Sequence, residues 1–119
     1  MTTAIKVAHA KEFIRITARG KHDLATGTSA LRDIAEALRA ECGLLIDIRD
    51  AASHLPLSTI RALADEFASL GLGSGRRTAL LCTEDRYDNV RFFAVSARSM
   101  GFDVQAYTSF EEACDWLTL

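Results

Sequence analysis

The stretch LLIDIRDAASHLPLST, residues 44–59, changes character twice over a short span. It opens as a nearly continuous apolar run from Leu44 to Ile48, as expected for a central strand covered on both faces. It then turns acidic and hydroxyl-rich at Asp50, Ser53 and His54. From Ser58 it becomes a helical stripe, with Ile60, Leu63, Ala64 and Phe67 on one face and Gly71 as the stop. Ser58 is the expected N-cap of that helix. A strand that leads through a polar loop into an amphipathic helix is half of a parallel βαβ unit, and the rest of the chain repeats the pattern.

On the N-terminal side, Ile5 and Val7, then Ile14, Ile16 and Ala18, alternate with polar residues. This spacing predicts two half-buried strands joined near Ala10 and Lys11 in a hairpin. Leu31, Ile34, Ala35 and Leu38 then recur at helical spacing, with Thr28 or Ser29 as the expected N-cap and Gly43 beyond the end. On the C-terminal side, RTALLCT (77–83) reads as a second buried strand. Val90, Phe93, Ala94 and Ala97 mark a third helix, ended by Gly101, and FDVQAY (102–107) alternates as a strand. The last helix opens with Thr108 and Ser109 placed three residues before Glu111 and Glu112, a doubled capping-box pattern, and is expected to bury Phe110, Ala113, Trp116 and Leu117. The order β-β-α-β-α-β-α-β-α predicts an α/β fold with a four- to five-stranded, mostly parallel sheet, helices packed on it and only the first strand antiparallel.

At 119 residues the chain fits one domain, 1–119, since domains run to roughly 100–200 residues. Hydrophobic residues make up 49% and charged residues 25%, the balance of a chain that folds on its own core. With 14 basic and 16 acidic residues the net charge is −2, which gives nucleic acid or an anionic membrane no broad attraction. No stretch approaches the ~20 apolar residues of a membrane helix, and MTTAIKVAHAKE lacks a secretory apolar core, so a cytoplasmic protein is expected. Cys42, Cys82 and Cys114 form no CxxC pair, and neither they nor His9, His22 and His54 have metal-ligand spacing. The cysteines are expected to be reduced and buried. No metal and no cofactor are implied.

Ligands of open α/β sheets gather beyond the C-terminal strand ends, a rim that should hold residues 20–28, 50–58 and 83–89 with Thr108 and Ser109. Asp47 and Arg49 share one face of the central strand, and Ile46 and Ile48 the other. A buried Asp47 needs a partner, either Arg49 or, preferentially, backbone N–H groups of an adjacent loop. Asp50, Ser53 and His54 are the residue types of a nucleophilic triad, but they sit on one short loop without a GxSxG elbow, which argues against hydrolysis. Cys82 precedes a helix start, where a thiolate would be stabilised, yet its place after Leu80 and Leu81 favours simple packing. Thr83 and Asp85 are expected to satisfy the first N–H groups of the third helix. GLGSGRR (71–77) has the glycines of a phosphate loop but leaves a helix and enters a strand, the reverse of a phosphate cradle, and reads as a turn.

Taken together, EFIRITARGK, LLIDIRDA, RTALLCTED and VQAYTSFEEACDWL resemble successive strands and the closing helix of the SpoIIAA-like branch of the STAS domains, the fold of bacterial anti-sigma-factor antagonists. The resemblance implies a regulatory module that works by protein contact. Phospho-switching members carry Asp-Ser-Ser-Gly after the central strand; this chain has SHLPLST there, so the phosphoacceptor does not carry over. A more distant likeness to the lipid-binding CRAL-TRIO sheet implies, as an alternative, a small apolar or anionic ligand held in a pocket at the rim, near Phe67, Phe92 and Phe93. With no complete catalytic constellation, a non-enzymatic binding module is expected, and its contact residues are expected to be Asp50, Ser53, His54, Ser58, Thr83 and Arg86. The hairpin's edge strand offers a homodimer contact, against which Lys6, Lys11 and Arg15 stand as charges that discourage edge pairing.

Overall fold

The computed structural model describes residues 4–9, 13–20, 23–37, 43–51 and 55–119, with residues 4–9 described as backbone. Ala10, Lys11, His22, Leu38, Cys42, Ser53 and His54, which figure in the sequence reading, lie outside the described residues. Strands β1 (Ala4–His9), β2 (Phe13–Gly20), β3 (Gly43–Ala51), β4 (Arg77–Leu81) and β5 (Asp103–Tyr107) alternate with helices α1 (Leu24–Ala37), α2 (Leu57–Ser69), α3 (Tyr87–Ser99) and α4 (Phe110–Leu117) in the predicted order. A 3₁₀ turn, Glu84–Arg86, leads into α3.

The sheet has five strands in the order β1-β2-β3-β4-β5, with β1 antiparallel to β2 and the other four parallel. Each crossover steps one strand in the same direction. Right-handed crossovers that never reverse direction must all land on one face of the sheet. Hence α1, α2 and α3 share a face, where Ile14, Ile16, Leu44, Ile46, Leu80 and Val104 meet Leu31, Ile34, Phe67, Val90, Ala94 and Ala97. Helix α4 follows the last strand and closes the opposite face, where Ala113 and Leu117 cover Leu45, Ala79 and Leu81. The near-continuous apolar run of β3 is thereby explained, because its alternate side chains feed two different cores. Phe67 anchors the larger one through edge-to-face contacts with Phe93 and Phe102, ring centroids 5.6 and 5.9 Å away.

Three local expectations are corrected. Helix α1 begins at Leu24, so Thr28 and Ser29 lie inside it. Its start is fixed by Asp23 and Thr26: Asp23 Oδ1 accepts the Thr26 N–H at 2.8 Å, and Thr26 Oγ1 accepts the Asp23 N–H at 2.7 Å. This reciprocal pair is a capping box with Thr in the third position, and it holds the Asp23 carboxyl below its ordinary pKa, the Thr26 N–H first among the causes. Ser58 caps nothing. Helix α2 starts at Leu57 behind Pro56, which has no side-chain acceptor, and the Pro56 carbonyl takes the N–H groups of Thr59 and Ile60. Phe110 is 39% exposed instead of buried, and the Arg15 guanidinium lies 4.9 Å above its ring.

Candidate binding site at the sheet rim

Asp47 stands where β3 stops running in register with β2. Thr17 pairs with Asp47, but Arg19 pairs with Asp50, so β3 has one extra residue over this step. The Arg49 N–H in that step donates to Asp47 Oδ1 at 3.1 Å, and the Arg49 side chain adds two bonds to the same carboxylate. Arg15, from β2, donates to Asp47 Oδ2 at 3.0 Å. The expected loop N–H partners are thus replaced by two guanidinium groups and the residue's own strand. Burial pushes the Asp47 carboxyl upward, but the hydrogen bonds from Arg49 and Arg15 outweigh it, so its pKa lies below the ordinary value. Asp47 is an anchor that sets the path of the chain into the rim.

Beyond that anchor, Asp50 is exposed and lies 3.9 Å from the equally exposed Arg19. Ser58 is exposed in the first turn of α2. Thr83, at the end of β4, serves the 3₁₀ turn through its carbonyl, which accepts the Arg86 N–H at 3.1 Å; its side chain makes no capping bond. Arg86 is the residue that ties the rim together. Its Nη1 donates to the Ala51 carbonyl at the end of β3, and its Nε stands 3.9 Å from the Asp85 carboxylate. Two large apolar side chains flank this polar border: Leu24 and Leu57, the first residues of α1 and α2, are 45% and 52% exposed.

Beneath the border, between the sheet and helices α1 to α3, lies a cavity of about 180 Å³. Its floor is Ala18, Ile46, Ile48 and Leu80, its walls come from Gly27, Ala30, Leu31, Ile34, Ile60, Leu63, Val90 and Phe93, and Ala51, Leu55, Arg86 and Asn89 complete it. The strand order has no reversal, so this space is not the switch-point crevice expected of an open α/β sheet. It exists because small residues line the contact between α1 and its neighbours. A Cβ at Gly27 would sit 2.9 Å from Leu63 Cδ2, which shows how closely α1 and α2 approach there, while Ala18 and Ala30 leave room behind them.

Of the residues read from the sequence as contacts, Arg86 is the only one among the described residues that lines this cavity; Ser53 and His54 lie outside them. Of the aromatic residues expected near it, Phe93 does, whereas Phe67 is fully buried in the core and neither Phe67 nor Phe92 reaches the wall. Asn89, Gly27, Ala18 and Ala30 are wall residues that the sequence reading misses. The available signal is Gly27 and Ala30, three apart on the buried side of a helix that also presents Leu31 and Ile34. A shallower polar groove, lined by Glu84, Tyr87, Tyr107, Thr108 and Glu112 among others, lies at the ends of β4 and β5.

Cys82 is not a nucleophile poised at a helix start. It is 1% exposed, its Sγ lies 3.6 Å from the Tyr107 carbonyl, and burial, helped by Asp85, pushes its pKa up to about 11. Among the described residues no three His, Cys, Asp or Glu side chains stand close enough to hold a metal ion, and no helix is long and apolar enough to cross a membrane.

No protein-family model and no curated protein sequence matches the chain. Solved structures do. An anti-sigma factor antagonist from Mycobacterium paratuberculosis superposes with a TM-score of 0.70 at 13% identity, covering 99% of this chain and 96% of that one. An uncharacterised DUF3478 protein with a SpoIIAA-like fold, from Shewanella loihica PV-4, gives a TM-score of 0.59 at 20% identity, covering 97% and 93%. At these identities the likeness is one of fold, and it spans the whole chain.

Proposed function

We propose that this SpoIIAA-like chain is a non-enzymatic regulatory module that acts by binding another protein through the rim around Leu24, Asp50, Leu57 and Ser58. The likeness to an anti-sigma factor antagonist supports the class of activity. The observation that carries the reading is the pair of half-exposed leucines at the starts of α1 and α2, set beside the charged Asp50 and the hydroxyl of Ser58. Apolar anchors with a polar surround are the usual make-up of a protein contact. The test is affinity capture from the native host. A saturable partner should bind the wild-type chain and be lost with Leu24→Ser plus Leu57→Ser and weakened by His54→Ala plus Ser58→Ala. A partner held equally by all three proteins would place the contact elsewhere.

The exposed, non-capping Ser58 hydroxyl favours one variation on this reading, a phospho-switch, because a phosphate in the first turn of a helix is electrostatically stabilised. Intact-mass measurement of the chain from its native host decides it: an unmodified mass under every growth condition removes the switch.

The cavity favours a second reading, a small-molecule or lipid-binding protein. Native mass spectrometry of the freshly purified chain tests it through the mass of a bound species, and a uniformly unliganded chain would count against it.

A further inference from the structure

The cavity wall gives the small-molecule reading a definite chemistry. Building on that reading, we propose that the cavity binds a monocarboxylate whose apolar body has about six to eight carbon atoms, with the carboxylate at Arg86 and Asn89 and the body enclosed between α1, α2, α3 and the sheet. An apolar cavity of about 150 Å³ stays dry and takes a six-carbon ring, and this one measures about 180 Å³. That size sets the scale of the ligand's apolar body.

Wall chemistry selects the class. Among the described residues, every lining residue except Arg86 and Asn89 is apolar, so against them a sugar, nucleotide or peptide would lose its hydrogen bonds to water without replacement. The two exceptions are three residues apart, where the 3₁₀ turn passes into α3, and both offer N–H donors. Arg86 is 17% exposed; its Nε is buried out of a ligand's reach and its Nη1 is held by the Ala51 carbonyl, so a carboxylate would meet the guanidinium at Nη2. A guanidinium beside an apolar space attracts an anion and repels an amine. Asp85, the carboxylate 3.9 Å from Nε, is mostly exposed and its field is screened by water, so it weakens this preference without reversing it. Nη1 is already committed to the Ala51 carbonyl, which fixes the head of the side chain at the cavity edge before any ligand arrives.

Octanoate and octanol, titrated into the full chain by calorimetry and by NMR, provide the test. Octanoate is expected to bind at least about tenfold more tightly than octanol, since one charge-assisted contact is worth roughly that factor or more. Arg86→Gln should abolish this difference, and Ala30→Phe, which fills the cavity from α1, should remove binding of both while the chain stays folded. Equal affinity of the wild-type chain for octanoate and octanol would overturn the carboxylate assignment whether or not the Arg86 variant folds. Unchanged octanoate binding by a folded Ala30→Phe protein would overturn the location. If octanoate fails to bind and native mass spectrometry shows a different occupant, the ligand class falls and the pocket reading survives; if neither is found, both fall.

Discussion

Arg49 closes back on Asp47, two residues earlier in the same strand: Nη2 lies 2.8 Å from Oδ2, and Nε and the backbone N–H both reach Oδ1, at 3.0 and 3.1 Å. A clasp this local works only because the two side chains share a face and the β3 register slips beside β2 at that point. With Asp47 at 4% exposure and Arg15 on its second oxygen, the carboxylate has its acceptor sites engaged. It fixes the segment that carries Asp50 and Ala51 into the rim.

Replacing Asp47 with Asn should therefore destabilise the chain by about 2 kcal/mol at pH 7, the scale of losing charged hydrogen bonds at a buried site. The effect depends on pH in a defined sense. The native Asp47 carboxyl is held below the ordinary value, so on acidification the unfolded chain takes up the proton first and acid favours unfolding. Its contribution is complete above the unfolded value of about 4 and fades as pH falls through the lower native value. Urea unfolding of both proteins at pH 7 and pH 2.5 checks this. The gap should narrow on acidification, and a constant gap would mean that the ion pairs contribute nothing.

The two serines expected to cap helices have opposite consequences. Ser109 Oγ accepts the Glu112 N–H at 3.2 Å and so caps α4, whereas Ser58 lies past the start of α2 and its hydroxyl is not the cap. Ser109→Ala should cost about 1 kcal/mol and Ser58→Ala less than about 0.5. Chemical denaturation of the two variants separates them, and a larger loss for Ser58 would show that Pro56 does not begin α2.

These serines also mark how far local sequence encodes the fold. Strand order, the buried stretch Leu44–Asp47 and the Ser109 cap are legible because each depends on neighbours in the chain: an apolar period, a turn glycine, or a hydroxyl three residues before an acid. Helix α1 starts earlier than its apolar stripe indicates because its cap, Asp23 with Thr26, precedes a Gly-containing stretch with no such stripe to announce it. Phe110 has the periodicity of a buried position, while its real neighbour, Arg15, comes from a strand almost a hundred residues earlier. The cavity is hardest to see. It is made by side chains that are too small, Ala18 and Ala30, across an interface of several elements, and no local pattern encodes a volume left unfilled.

Cys82 should be inert in the folded protein. In a chain carrying Cys42→Ser and Cys114→Ser it is the one remaining thiol. With a pKa of about 11 it is roughly one-thousandth thiolate at pH 8, and its burial blocks the reagent as well. Labelling with a thiol-specific disulfide at pH 8 should be at least about 100-fold slower than in urea. Comparable rates in both conditions would restore Cys82 as a reactive residue.

The glycine-rich stretch 71–77 offers a contest between backbone conformation and packing. Gly75 has φ +71°, a region that L-residues avoid, but no atom stands within 4 Å of where its Cβ would be. Gly73 has no such φ, yet its Cβ would lie 2.9 Å from both Phe102 Cδ1 and Phe67 Cε2. The cost at Gly75 is the left-handed penalty of roughly 1–2 kcal/mol, part of which an exposed turn can relax. At Gly73 the added methyl meets two rings locked edge to face in the core, and overpacking of that kind costs about 1–3 kcal/mol. Because Phe67 is fully buried and cannot move without disturbing Phe93 as well, the balance falls on packing: Gly73→Ala should be the more destabilising of the two. Urea midpoints of the two variants measure the order, and a greater loss for Gly75→Ala would show that the aromatic cluster yields more easily than the turn.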